Sequence, residues 1–212
     1  IKAMPYNGQV PGPEIRLKEG EQVRIVLKNL LAEPTTIHWH GVDVPNLMDG
    51  VPGITQKPVQ SGETFVYEFE ARPAGTRWYH THFQDHRQLD LGLYAPLIIE
   101  PARPDPFPFD REYTLVLDDW ATGTGRPLPS TREGTAGGRG GMGGMMGGGM
   151  GRMMEGMMGR GGMMGGGQHP AYDVMTINGK AYPATQPLKV RKGERVRLRL
   201  INASGDHTHV IR

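Results

Sequence analysis

Two short stretches constrain this chain more than any other feature: Thr36-Ile37-His38-Trp39-His40-Gly41 and, forty residues on, Arg77-Trp78-Tyr79-His80-Thr81-His82. Each sets a His-x-His pair in an apolar, β-branched and aromatic run, the composition of a strand. Residues i and i+2 of a strand share a face and lie about 6.5–7 Å apart along it. Each pair therefore presents two imidazoles side by side, with Trp39 and Thr81 turned to the other face. Two such strands laid together predict four converging neutral nitrogen donors, with no thiolate and no required carboxylate. That set suits copper or zinc and suits magnesium or calcium poorly.

One pair alone reads as half-buried strand histidines; two, each close to a tryptophan, read as a metal site. Imidazole serves both copper and zinc, and geometry selects between them, so donor type leaves zinc open. A zinc hydrolase is disfavoured, because no general-base carboxylate accompanies either pair at short spacing.

The rest of the first half is strands and turns. Asn7-Gly8 and Pro11-Gly12-Pro13 are turn chemistry. Glu14 to Leu17 predicts a short strand, and Val23, Ile25 and Leu27 alternate with Arg24, Val26 and Lys28 as on a half-buried one. Gly41 to Gln60 is a long Pro-, Gly- and Asp-rich connection that starts at a candidate ligand, and long loops in compact domains are usually functional. Phe65 to Phe69, Leu91 to Glu100 and Glu112 to Leu117 complete a set of at least seven short strands. With no helical period anywhere, the pattern predicts an all-β Greek-key sandwich. His86 falls off the strand alternation and reads as a loop histidine, while Gln84 and Asp85 are candidates for orienting a ligand imidazole.

His38-Trp39-His40-Gly41, then Val44-Pro45-Asn46-Leu47-Met48-Asp49-Gly50-Val51-Pro52-Gly53, then Gly75 to His82, resemble the first cupredoxin domain of a multicopper oxidase, laccase-like or a bacterial copper-tolerance cuprous oxidase. Gly92 to Glu100 is similar to the strand that closes that domain. The resemblance runs over residues 1 to about 118. It implies that His38 binds a type 2 copper and that His40, His80 and His82 bind a type 3 pair. It further implies that Asp49 is the acidic residue that hydrogen-bonds water near the cluster and helps relay protons to oxygen.

Residues 134–167 are of low complexity, with 18 Gly and 10 Met in 34 positions. Such a chain cannot recover its ordering entropy by burial and predicts a mobile tether. Serine would be the ordinary solvating choice; thioether sulfur is a soft ligand that favours Cu(I) over Zn(II). The stretch therefore reads as a Cu(I)-collecting tether, with a plain linker as the alternative and His169 incidental. Some bacterial copper-tolerance oxidases carry methionine-rich inserts, as the resemblance would have it.

Beyond the tether the chain repeats itself. Leu17 to Asn29 aligns without gaps onto Val190 to Asn202, and Met4 to Gly8 resembles Met175 to Gly179. A second cupredoxin domain is expected to begin at 172 and to be incomplete at 212, with 1–118 as the first and 119–171 as linker. Arg195, Arg197 and Arg199 alternate with Val196, Leu198 and Leu200, which predicts that the arginines form a solvated face. His207-Thr208-His209 is a third His-x-His; it lacks the longer pattern of the family's last domain and reads as structural.

Net charge is +2 over 212 residues, and outside the tether 21 basic residues balance 21 acidic ones. That gives no footprint for nucleic acid or an anionic membrane. No run of 18 apolar residues occurs, so no membrane span is expected. The chain starts at Ile1, without a signal peptide, and reads as truncated or processed. With no cysteine it lacks the blue, type 1 copper site, which needs a thiolate.

The resemblance thus implies a copper-dependent oxidoreductase, periplasmic or secreted. It would couple one-electron oxidation of phenols or Cu(I) to the reduction of dioxygen to water. Half of its trinuclear site is here, and a further C-terminal cupredoxin domain is needed to complete it. The competing class is a non-catalytic copper-binding protein that only sequesters the metal.

Overall fold

The structure is a computed structural model that describes residues 2–124, 128 and 171–211. The tether at 134–167 and His169 lie outside the described residues. The strands are Ile15–Lys18 (β1), Gln22–Lys28 (β2), His38–His40 (β3), Thr64–Glu70 (β4), Gly75–His80 (β5), Tyr94–Glu100 (β6), Arg111–Trp120 (β7), Val174–Ile177 (β8), Lys180–Ala181 (β9) and Val196–Asn202 (β10). Against them stand one short helix, Asp85–Gln88 (α1), and a 3-10 turn at Asn46–Met48. Among the described residues, no helix is long and apolar enough to cross a membrane.

Two layers build the first unit. One is a four-stranded sheet in the order β1-β6-β5-β3, the other the antiparallel pair β2-β4. Their alternating residues meet in one core: Val23 and Leu27 from β2, Tyr67 and Phe69 from β4, Trp39 from β3, Tyr79 from β5, and Ala95, Leu97 and Ile99 from β6. The period of two read from the sequence is the cause, because it sends one face of each strand inward. Trp39 is fully buried there, its ring 5.3 Å from Tyr67 and 5.0 Å from Phe69.

The strand expected from Leu91 begins at Tyr94. The amide groups of Leu89 and Leu91 instead donate to Asp85 and Arg87 carbonyls, prolonging α1 by a turn. Tyr94 to Ile99 is then buried on both faces. The second face is covered by the other sheet, ordered β10-β7-β8-β9, and Tyr94 packs there with Val116, Ile201 and Ala203.

Two expectations change. Glu112 to Leu117 was to complete the first sandwich. Instead β7 pairs in parallel with β10 and antiparallel with β8, both from beyond the tether, so residue 118 falls inside a strand. Of the arginine row, only Arg195 keeps a solvated side chain, 65% exposed. Arg199 is 7% exposed, whereas Leu198 and Leu200 are each 46% exposed. Arg199 Nη2 lies 2.7 Å from Glu112 of β7, and its Nη1 donates to Thr76 of β5 at 3.0 Å. Arg197 pairs with Asp105 at 2.5 Å and lies over the Phe109 ring. Paired and hydrogen-bonded in this way, arginine is tolerated where an unpaired charge would not be.

Candidate metal centre

β3 and β5 are antiparallel neighbours in a register that sets His38 opposite His80 and His40 opposite Trp78. Strand parity then places His38, His40 and His80 on one face, with Trp39 and Tyr79 in the core behind them. One ligand atom from each of these three histidines lies within 4.8 Å of the others. His82 comes two residues after β5 ends, and its ring centroid is 5.2 Å from that of His38 and 6.1 Å from that of His80. All four candidates therefore meet at one edge of the sheet.

Backbone carbonyls orient the rings. His38 Nδ1 faces the Asp49 carbonyl at 2.7 Å, and His80 Nδ1 faces the Thr81 carbonyl at 2.7 Å. With Nδ1–H donated, each ring keeps Nε2 as its lone-pair nitrogen. His40 turns Nδ1 inward, 3.3 Å from His80 Nε2. The orienting groups are thus not Gln84 or Asp85; Asp85 Oδ1 accepts from the N–H of His86, whose side chain is 80% exposed.

The loop that delivers Asp49 depends on Gly50. At φ +77°, a Cβ there would stand 1.9 Å from the carbonyl oxygen of Ile37. Only glycine lets the 46–50 segment lie this close to β3. Asp49 Oδ1 then approaches His38 Nδ1 to 3.3 Å, at a partly exposed position beside the cluster.

A buried polar network fixes the turn between His80 and His82. Thr81 and Thr35 both donate to Gln88 Oε1, at 2.8 and 2.9 Å, while Gln88 Nε2 donates to Glu33 at 2.7 Å and to the Pro34 carbonyl at 2.8 Å. The His82 amide reaches Thr36 Oγ1 at 3.3 Å. Sequence reasoning missed Gln88, Thr35 and Thr36, and the only signal was their polarity within apolar surroundings.

Burial, then the neighbouring His38, His40 and His82, lowers the His80 pKa to about 4, against the pull of its bond to the Thr81 carbonyl. His40 is lowered too, by desolvation and then by His38 and His82. Two imidazoles that disfavour a proton keep lone pairs for a cation, and with four ring nitrogens at hand the residues present fit copper or zinc.

The third pair lies elsewhere. His207 is buried with its Nδ1 2.5 Å from Asp119 Oδ2, and that carboxylate also accepts the Gly205, Asp206 and His207 amides. His209 Nε2 is 2.7 Å from Ser204 Oγ. Both histidines tie down the 203–209 segment.

Residues 2–104 match the family model described as multicopper oxidase. Copper resistance protein A of Pseudomonas syringae pv. tomato is 44% identical over 118 residues, covering 56% of this chain and 19% of that protein. Multicopper oxidase MmcO of Mycobacterium tuberculosis is 33% identical over 97% of this chain and 40% of its own length. Among solved structures, the blue copper oxidase from Nitrosomonas europaea superposes with a TM-score of 0.69 at 36% identity, over 93% of this chain and 53% of that one. The chain thus spans well under two thirds of the relatives it matches. Its nearly helix-free architecture is the cupredoxin-like sandwich of those neighbours. Residues 2–104 are thus a multicopper oxidase domain, and the chain resembles multicopper oxidases over nearly its whole length.

Proposed function

We propose that His38, His40, His80 and His82 are copper ligands, His38 toward a type 2 ion and the other three toward a type 3 pair. The protein they serve would couple one-electron oxidation of phenols or Cu(I) to reduction of dioxygen to water. One observation carries this reading: four imidazoles converge, and two of them have Nδ1 engaged by backbone carbonyls so that Nε2 is presented. Copper, when bound, would supply the electron storage and the acidification of water that oxygen reduction needs.

The chain's own residues set the conditions. The Asp49 and Thr81 carbonyls hold two ring planes, and the Trp39–Tyr79 core behind the strands resists their movement. Asp49 Oδ1, beside the cluster and partly exposed, can exchange protons with solvent and hand them inward. We place the division between the two cupredoxin units between Glu100 and Arg111, because β7 pairs with strands beyond the tether. Four histidines are half of a trinuclear set. A further cupredoxin domain of a longer protein would bring the rest, together with the type 1 copper. A periplasmic or secreted setting accords with relatives named for copper resistance.

The test is a copper titration of this chain followed by electron paramagnetic resonance. Cu(II) taken up with hyperfine coupling to several imidazole nitrogens, and lost in His80→Ala and His38→Ala, is expected. Preference for Zn(II) over Cu(II), or uptake unaffected by both substitutions, would overturn the assignment. Uptake with no oxygen consumption by the longer protein would leave a copper-sequestering role in its place.

A further inference from the structure

The four imidazoles are not held equally. His38 and His80 each have a backbone carbonyl on Nδ1, but among the described residues the one hydrogen-bond partner of the His40 ring is His80 itself. His40 is also the most exposed of the four. Something other than a hydrogen bond has to fix its plane.

Trp78 is in place to do so. It is the cross-strand partner of His40 and stands two residues before His80 on β5, so all three side chains share a face. The indole lies 4.2 Å from the His80 ring at 28° and 5.1 Å from the His40 ring at 30°. Among the described residues, no other ring outside the four histidines contacts any of them. The indole in turn packs against the cluster formed by Tyr94 of β6 with Val116, Ile201 and Ala203 of the second unit. Two residues before it, Thr76 receives the Arg199 hydrogen bond that ties β10 to β5. Thr76, Trp78 and His80 therefore line one face of β5, and Arg199 and Ile201 line the facing side of β10.

We propose that Trp78 is a positioning residue for this centre: its indole sets the planes of His40 and His80, and β10 holds the indole in place. Nothing in the copper assignment required this residue. The proposal shares ligands with that assignment, so its first test is made without metal.

In the metal-free chain, nuclear Overhauser contacts between the His40 and His80 rings report their approach. Trp78→Leu should abolish them and Trp78→Phe, which restores a flat ring, should bring them back. Contacts that persist in Trp78→Leu overturn the proposal whether or not the chain takes up copper. Should Trp78→Leu fail to fold, Ile201→Ala loosens the seat without touching the centre and should weaken the same contacts; unchanged contacts overturn the role of β10. With Cu(II) added, Trp78→Leu should bind about tenfold more weakly than wild type and Trp78→Phe within about threefold of it. Equal affinity in Trp78→Leu also overturns the proposal. A wild-type chain that takes up no copper counts against the copper assignment, and the ring contacts still decide the matter for Trp78.

Discussion

Asp49 meets His38 twice, with its backbone carbonyl at 2.7 Å and its carboxylate at 3.3 Å from the same nitrogen. The carbonyl orients the ring and the carboxylate does not need to. Asp49→Asn should therefore leave copper affinity within about threefold, while in the longer oxidase proposed above it should slow oxygen reduction more than substrate oxidation. Copper titration alongside rapid reoxidation kinetics checks both halves.

Gly50→Ala separates the two roles from the other side. Alanine at φ +77° costs about 1–2 kcal/mol in backbone strain alone, and its methyl would collide with the Ile37 carbonyl. The 46–50 loop should lift and take the Asp49 carbonyl with it. Urea unfolding should show the loss of stability, and copper affinity should fall at least tenfold, unlike in Asp49→Asn.

His80 stays neutral down to about pH 4 in the folded chain, against an ordinary 6.5. Between those values the unfolded chain takes up a proton here that the folded chain refuses. Stability from this residue therefore falls as pH drops through that window and is steady above it. His80→Gln cannot titrate, so its stability deficit relative to wild type should shrink on acidification. Denaturant midpoints of both proteins across the window measure it; a constant difference would contradict the burial argument.

Asp118 slopes the other way. Burial first, with nearby Asp119 and Asp90 adding to it, raises its pKa from an ordinary 3.8 to about 8, while the Tyr94 hydroxyl donates to its carboxylate. The folded chain keeps a proton that the unfolded chain has lost, so stability falls as pH rises toward 8. Asp118→Asn should gain on wild type between about pH 4 and about pH 8, read as a rising difference in melting temperature.

Arg199 and Arg24 make a matched pair of tests. Arg199 and its partner Glu112 are each 8% exposed at the side chain, whereas Arg24 and Glu68 are 64% and 63% exposed. Arg199→Met takes away one of the two guanidinium partners of the buried Glu112, which keeps Arg16 at 2.6 Å, and should cost about 1.5 kcal/mol. Arg24→Met should cost under about 0.5 kcal/mol.

The methionines of 134–167 fall outside the described residues, and their reading rests on composition. Replacing all ten with serine preserves length while removing the soft donors. In the longer oxidase proposed above, Cu(I) oxidation at low copper should slow while a phenolic substrate is oxidised as before. Unchanged Cu(I) kinetics would make the stretch a linker.

The convergence of the histidines was legible because two-residue parity is a local rule: it put His38 with His40 and turned Trp39 inward. By the same parity Trp78 shares a face with His80, and that signal was present but unused. The orienting groups of His38 and His80 are backbone carbonyls, which no residue type announces. The error on Arg199 has a different origin. Alternation says that two faces differ, not which faces water, and the partners that made burial tolerable, Glu112 and Thr76, lie 87 and 123 residues away.

β6 is covered on one side by the Trp39 core and on the other by Val116, Ile201 and Ala203. It is a shared middle layer, and neither unit can shed it without exposing the other's apolar surface. The two halves of the described chain should consequently lose structure together, in a single transition. The amides of Leu97 to Ile99 should exchange with solvent only when the whole assembly opens, last of all those in the molecule.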